Sequence, residues 1–443
     1  MYKDVIVALA TPSMESAIAV IRVSGENSLS LLKEIFSNKS DYQGNKVYYG
    51  KIKDNQEIID EVLVSTFVAP KSFTGEDSFE INCHGGMFIV KRIIELCIKK
   101  GARLAKRGEF SKRAFLNDKM DLLQAESIND MIRAESELEA KLALNGLVGN
   151  TSKLIENIEH DFLELLSNIE VNIDYPEYDE AEVATKEYVS ETIEKIIEMI
   201  QILIKDSKVG KRIKDGLNIA ILGKPNVGKS SILNALLNEE KAIVTDIEGT
   251  TRDIVEGQIT LNGLKVNLLD TAGIRETVNK VEKIGIEKSL DLIEKADLII
   301  MVLDASKKLE EEDYKLLELT KNSNRIIVAN KKEIKEQNFN YDTIEISAKN
   351  NDIEALKEAI INSIGFNIKD YNNKPMLSNV RHIGLLENSV SHLENVLKEL
   401  ELVPIDLLTT ELTQALENIR DILGHKSRLD MVDEIFSRFC LGK

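Results

Sequence analysis

A chain of 443 residues is too long for one ordinary hydrophobic core and predicts two or three domains. No run of about 18 apolar residues occurs, which excludes a transmembrane helix. The formal net charge of −18 argues against a broad basic surface for nucleic acid, so any RNA contact must be local or carried by a partner.

The opening MYKDVIVALATP lacks a signal-peptide layout, and a cytoplasmic protein is expected. Cys83, Cys97 and Cys440 are scattered, offer no zinc spacing and fit a reducing compartment. Residues 1–118 read as mixed α and β. VIVAL (5–9), AIAVIRVSG (17–25), VLVSTFVAP (62–70) and SFEINCHGG (78–86) are β-branched runs bounded by turn residues, the pattern of strands. Phe88 to Lys100 predicts a helix ended by Gly101. From 119 to about 208 the pattern becomes helical. Leu154, Ile158, Phe162, Leu165 and Ile169 recur at three- and four-residue steps, as do Val189, Ile193, Ile196, Ile200 and Leu203. These are bundle helices, separated by the acidic loop DYPEYDEAE (174–182).

Residues 217–365 alternate strand and helix, which predicts a doubly wound α/β unit. After about 371 helices return, with Leu408, Leu412, Ala415, Ile419 and Ile422 on one stripe. The expected fold class is thus α/β and α+β multidomain. A mixed α/β N-terminal domain precedes a helical bundle domain, and a P-loop α/β domain is inserted into that bundle.

Chemistry concentrates in IAILGKPNVGKS (219–230). A buried strand, Ile219 to Leu222, runs into Gly223-Lys224-Pro225-Asn226-Val227-Gly228-Lys229-Ser230 and then a helix with Ile232, Leu233, Leu236 and Leu237 on one face. This is the phosphate-binding pattern G-x-x-x-x-G-K-[ST]. Backbone N–H groups turn inward on phosphate oxygens, Lys229 reaches the β/γ-phosphates, and Ser230, followed by Ser231, offers a hydroxyl to Mg²⁺. The helix N-terminus adds partial positive charge. Asp270-Thr271-Ala272-Gly273 follows a strand, where Asp270 can hold Mg²⁺ through water and Gly273 can place its N–H on a γ-phosphate. Thr250 or Thr251 supplies a second Mg²⁺ hydroxyl. Asn330, Lys331 and Glu333 suit a guanine ring, backed by Ser347 and Ala348. Together these motifs resemble a translation-factor-type GTPase domain.

Two departures stand out. Glu333 occupies the place of a family Asp and is one methylene longer. Ile274 stands where Ras-like GTPases carry a water-orienting Gln, and no arginine finger is assigned, with Arg252 and Arg275 as candidates. Asn226 and the loop Thr245-Asp246-Ile247-Glu248-Gly249-Thr250 can instead hold a monovalent cation through one side-chain oxygen and several carbonyls. Glu282 reads from the residues alone as a solvated helix face.

Three stretches outside this unit, FTGEDSFEINCHGG (73–86), RGEFSKRAFLNDKMDLLQAESI (107–128) and FCLGK (439–443), join GKPNVGKSS and TDIEGTTRD in resembling the MnmE (TrmE) family of tRNA-modification GTPases across essentially the whole chain. The resemblance implies a GTP hydrolase within a tRNA uridine-modifying complex. It implies an MnmG (GidA)-like flavoprotein partner in an α2β2-type assembly and addition of a carboxymethylaminomethyl or aminomethyl group at C5 of the wobble uridine of certain tRNAs. It also implies a tetrahydrofolate one-carbon unit, as the 5,10-methylene or 5-formyl form, with FAD and NADH on the partner.

Residue by residue, the resemblance makes Asn226, Thr245, Ile247 and Thr250 potassium ligands and Ser230 and Thr251 Mg²⁺ ligands. Asp270 and Thr251 join Glu282 in catalysis, with Glu282 orienting water. Arg22, Glu80, Lys119 and Lys443 match folate-binding positions. The implied domains are 1–118 for folate binding and homodimerisation, 119–210 and 371–443 for the helical domain, and 211–370 for the GTPase. Cys440 is left outside the catalytic set, and His84 reads as loop architecture. Met431, Ile435 and Phe439 are expected to anchor the terminal segment on the bundle. The competing reading is a GTP-switched RNA-binding or ribosome-assembly GTPase. A basic terminal domain would be expected there, whereas the C-terminal helices are mixed and acidic.

Overall fold

The computed structural model describes residues 4–174, 185–239, 255–269, 292–365, 368–371, 373–425 and 429–442. Two compact units emerge. One comprises Met1–Ile132, Gly146–Ile200 and Leu385–Lys443, and the other Arg133–Asn145 and Gln201–Gly384.

The first unit is built on a six-stranded sheet of order β3-β4-β5-β2-β1-β6. Its strands are β1 (Ile6–Leu9), β2 (Ile18–Ser24), β3 (Lys46–Asp54), β4 (Glu57–Phe67), β5 (Ser78–His84) and β6 (Arg103–Leu104). All neighbours are antiparallel except β1 and β6. Side chains alternate across a strand. In β2, Ala19, Ile21 and Val23 turn inward, and in β5, Phe79, Ile81 and Cys83 do the same. They meet α1 (Ser28–Ile35) and α2 (Met87–Lys99) in one core. Alternation therefore sends Arg22 and Glu80 to the opposite face, where the register sets them side by side. There α3 (Glu109–Leu116) lays Phe110 against Ile6, Ala8 and Ala105.

The strand β3 has no counterpart in the sequence reading. Lys46, Lys51 and Lys53 break its apolar pattern, while Gly50 and Ile52 are its fully buried positions. Its partner β4 also starts earlier than the apolar run suggests, because Asp60 and Glu61 pair with Ile52 and Lys51.

The same unit carries the helical stripes. In α6 (Asn150–Asp174), Ile158, Phe162, Leu165 and Ile169 are buried as expected, but Ile155 rather than Leu154 faces inward at the start. Helix α13 (Ile405–Leu423) packs along α6, buries Leu408, Leu412, Ala415, Ile419 and Ile422, and joins it through Arg420 Nε to Glu159 at 2.6 Å.

The second unit holds a sheet of order β12-β11-β10-β7-β9-β8. Here β7 is Leu217–Leu222, β8 Val255–Leu261, β9 Leu264–Leu269, β10 Leu298–Asp304, β11 Arg325–Asn330 and β12 Thr343–Glu345. All neighbours are parallel except the β8–β9 hairpin. Buried on both faces, β10 reads as the continuous apolar run LIIMVL closed by Asp304. From β7 the chain goes to the edge strand β8, returns as β9 beside β7, and then crosses to β10 on the other side of β7. The loop after β7 thus leaves the carboxyl edge at a topological switch point, the usual ligand position in such sheets.

Candidate functional site

The loop after β7 is pinned by packing at its middle. Val227 is buried with Ile219, Ile232 and Leu236, while Asn226 before it stays exposed in a left-handed conformation, φ 65°. Gly228 has φ 101°, and a Cβ there would lie 2.1 Å from Asn330 Nδ2, so no side chain fits. Helix α8 (Lys229–Glu239) follows, with Ser230 and Ser231 exposed in its first turn. Lys229 curls back over the loop, its Nζ donating to the carbonyls of Gly223 at 2.6 Å and Lys224 at 2.7 Å. Burial lowers the pKa of this ammonium, against the pull of Glu312. Lys224 is held outward by Asp313 at 2.6 Å and Glu310 at 2.9 Å, at the start of α9 (Glu311–Leu319).

The carboxyl ends of β10, β11 and β12 complete this edge. Asn330, buried, donates from Nδ2 to Val227 O at 2.9 Å and accepts at Oδ1 from Ala348 N at 3.1 Å. One amide therefore ties the phosphate loop to the Ser347-Ala348 loop. Lys331 adopts φ 67° and donates from Nζ to Asn226 O at 3.0 Å and Asp304 Oδ2 at 2.5 Å. Glu333 is exposed, and a hydrogen bond from the buried Ser347 hydroxyl is the largest influence holding its carboxyl below the usual range. The structure thus gathers Asn226, Val227, Gly228, Lys229, Asn330, Lys331, Glu333, Ser347 and Ala348 at one edge. Thr245, Asp246, Ile247, Glu248, Gly249, Thr250, Thr251, Asp270, Thr271, Ala272, Gly273 and Glu282 lie outside the described residues, as does Lys443.

A second cluster forms in the first unit. Arg22 donates from Nε to Glu80 Oε1 at 2.8 Å and from Nη1 to Gly442 O at 3.0 Å. Its guanidinium lies 5.3 Å from the Phe73 ring centre and 5.6 Å from that of Phe110. Lys119 Nζ donates to Pro70 O at 3.0 Å, and its stem flanks Gly75. Arg22 and Lys119 therefore both border the loop 70–76, and Arg22 brings Glu80 beside it. The residues before Lys443 are held against the sheet: Gly108 N donates to Cys440 O at 3.3 Å, and Gly442, φ 85°, sits so close that a Cβ would be 2.4 Å from Leu9 O. Its anchors are Val432, Phe436 and Phe439, with Ile435 partly buried and Met431 only half-buried, one step away from the expected stripe. Cys440 is exposed. Burial pushes the thiol of Cys83 up to about 11 and that of Cys97 up to about 12.

The family described as "GTP-binding protein TrmE N-terminus" matches residues 5–119, and the "MnmE helical domain" matches residues 122–440. The tRNA modification GTPase MnmE of Streptococcus mutans serotype c is 45% identical over 450 residues, 99% of each chain. The chain belongs to the MnmE family of tRNA modification GTPases. The Streptococcus thermophilus MnmE is 44% identical over 452 residues, covering 99% of this chain and 98% of that one. Among solved structures, the FeoB G-domain from Methanococcus jannaschii is 28% identical over 34% of this chain and 98% of that one, with a TM-score of 0.26. As a member of the MnmE family the chain is a GTP hydrolase.

The fold also gives a structural role to two of the motifs that mark the chain as MnmE-like. In RGEFSKR, Arg113 is fully buried and donates from Nη2 to Asp4 Oδ1 at 2.9 Å and Glu109 Oε1 at 3.2 Å, and from Nη1 to Glu76 Oε1 at 3.2 Å. Arg103 grips the same Asp4 and Glu109, each at 2.5 Å. In FTGEDS, Glu76 also accepts from Ser24 Oγ at 2.9 Å, and Asp77 accepts from Ala69 N at 2.8 Å. These motifs are the scaffold of the Phe73 loop. Only the Arg113–Glu109 pair, at i,i+4 spacing, is local; the bonds of Arg113 to Asp4 and Glu76 and of Ser24 to Glu76 join residues far apart in sequence, and no pattern signals them. His84 is the last residue of β5 and bonds Asp60 of the neighbouring β4 at 2.7 Å, so it is a strand residue and not the loop architecture expected.

Proposed function

We propose that this protein is a potassium-dependent GTPase that, with an MnmG-type flavoprotein, builds the carboxymethylaminomethyl or aminomethyl group at C5 of the wobble uridine of tRNA, using a tetrahydrofolate one-carbon unit. The observation that carries the proposal is the bond from Arg22 to the Gly442 carbonyl. It brings the end of the chain to Glu80, so that Arg22, Glu80 and the residue preceding Lys443 share one place. A carboxylate beside an aromatic edge suits the N–H groups of a pterin, and cations at Lys119 and Lys443 suit a glutamate tail.

The nucleotide end fits its cofactors by donor chemistry. Ser230 offers a hydroxyl one residue beyond Lys229, and Thr251 and Asp270 are assigned beside it from the motifs. Asn226 is exposed at the loop crest, which suits a side-chain oxygen ligand for K⁺, with Thr245, Ile247 and Thr250 completing the set. Bound Mg²⁺ and K⁺ supply positive charge where negative charge develops on the phosphates. Lys229 holds the β/γ-phosphate region, Asn330 fixes the loop that cradles it, Lys331 and Glu333 read guanine, and Glu282 orients the attacking water. FAD and NADH reside on the partner.

We read 1–118 as the folate and homodimer domain, 119–210 with 371–443 as the helical domain, and 211–370 as the GTPase domain. Support for pairing comes from Val47, Tyr49 and Leu63, exposed together on the open sheet face.

Deleting Cys440–Lys443 tests the proposal. One lost charge-assisted contact is worth about 1.5–3 kcal/mol, so 5-formyltetrahydrofolate affinity is expected to fall roughly tenfold to a hundredfold by calorimetry. Modification of wobble uridine should be lost while GTP turnover is kept, with the melting temperature lowered only by the loss of the segment's own hydrogen bonds to Arg22 and Gly108. Folate affinity equal to that of the full chain would refute it.

A further inference from the structure

Asp304 closes β10 and lies beside Asn330, its in-register neighbour on β11. Its carboxylate is 9% exposed. A buried charge needs partners on both oxygens, and it has them. Oδ1 accepts from Ser306 N at 3.0 Å and Ser306 Oγ at 2.6 Å, while Oδ2 accepts from Lys331 Nζ at 2.5 Å. The same ammonium donates to Asn226 O at 3.0 Å. Lys331 leaves its loop from a left-handed backbone, which favours glycine or asparagine over lysine. Such a conformation is kept where surrounding contacts fix it.

We propose that Asp304 is the positioning residue for nucleotide recognition, clamping the Lys331 ammonium between its own carboxylate and the Asn226 carbonyl so that the lysine stem is already ordered beside the base. The inference rests on reading this edge as the guanine site. A free lysine side chain samples many rotamers, and ordering it on a ligand weakens binding. Asp304 removes that loss before nucleotide arrives, which is preorganisation. It also neutralises Lys331, so what the base meets is an apolar stem and not a mobile cation.

The isosteric change Asp304→Asn separates the role from simple packing. Ser306 N must keep an acceptor, so the amide oxygen turns towards Ser306 and the NH₂ faces Lys331 Nζ. Two donors then oppose each other and the clamp opens. The experiment measures GDP affinity by calorimetry, with Mg²⁺, for the full chain and for Asp304→Asn, Lys331→Ala and the double variant. Each single change is expected to raise Kd about tenfold, about 1.4 kcal/mol. The double variant should be no weaker than the weaker single, because one lysine mediates both effects. A purely structural Asp304 would give additive losses, and that result overturns the proposal. Wild-type affinity in Asp304→Asn with weakened Lys331→Ala also overturns it, leaving the base site standing. Wild-type affinity in Lys331→Ala removes the base-site reading and the positioning role together. Should Asp304→Asn fail to fold, Ser306→Ala loosens Oδ1 and keeps the ion pair. A two- to threefold loss of GDP affinity at an unchanged melting temperature is then expected, and unchanged affinity refutes the clamp.

Discussion

Replacing Arg113 by Met keeps most of the side-chain volume and removes the charge. Arg113 is fully buried, and its guanidinium meets Asp4, Glu76 and Glu109. Removing one partner of a buried ion pair costs about 3–5 kcal/mol, because the remaining charge stays desolvated. Here Arg103 still serves Asp4 and Glu109, and Ser24 still serves Glu76. The expected loss is therefore at the low end, about 3 kcal/mol. For a unit of this size that lowers the melting temperature by roughly 6–12 °C. Circular dichroism during urea denaturation reads it without tryptophan, which the chain lacks.

The loss should also depend on pH. Burial raises the pKa of Glu109 and Asp4, but hydrogen bonds from Arg103 and the charges of Arg103 and Arg113 outweigh it and leave both lowered. A depressed folded pKa gives stability that is present above the unfolded value and lost as pH falls through the folded one. The gap between wild type and Arg113→Met should accordingly be full at pH 6–7 and narrow as pH falls below the ordinary carboxylate range of about 4. A gap under about 1 kcal/mol, or one constant with pH, would show that the network contributes little beyond its packing.

Gly228→Ala should weaken GDP binding at least about tenfold in titration, because its Cβ collides with Asn330 Nδ2 and the phosphate loop must shift. Glu333→Asp should sharpen guanine selectivity, read as weaker competition by ATP against labelled GTP; unchanged competition would mean the loop absorbs the methylene. GTP turnover should be high in K⁺ and low in Na⁺, and equal rates in the two salts would count against the cation assignment at Asn226. Glu282→Ala should bind GTP almost normally and hydrolyse it slowly, whereas a collapse of affinity would remove its water-orienting role.

The P-loop, the parallel sheet and the bundle stripes were legible because each depends on local period and motif. Residues such as Ile193, Ile196 and Ile200 declare their face by spacing alone. The strand Lys46–Asp54 was hidden because its lysines interrupt the apolar alternation, with Lys46 exposed on the very face that buries Gly50 and Ile52, and only the pairing with β4 reveals it. Asp304 passed as the polar end of an apolar strand, since its partner Lys331 lies beyond an intervening helix and strand. The anchors at Val432 and Phe436 were missed by one position because Met431 and Ile435 make an equally good stripe in isolation. Register across a sheet and the rotation of a short helix are set by tertiary contact, and a linear pattern does not carry them.

The arrangement of the three thiols makes the chain's far end addressable. Cys83 and Cys97 are closed off inside the first sheet's core, with thiols raised to about 11 and about 12, while Cys440 lies in the open. Maleimide chemistry near neutral pH should therefore place a dye or spin label at one site without any cysteine being removed. That site is two residues before the carbonyl that Arg22 holds, so the label would rigidify or tumble with the tail itself. The native sequence already carries a reporter for the seating of its own terminus.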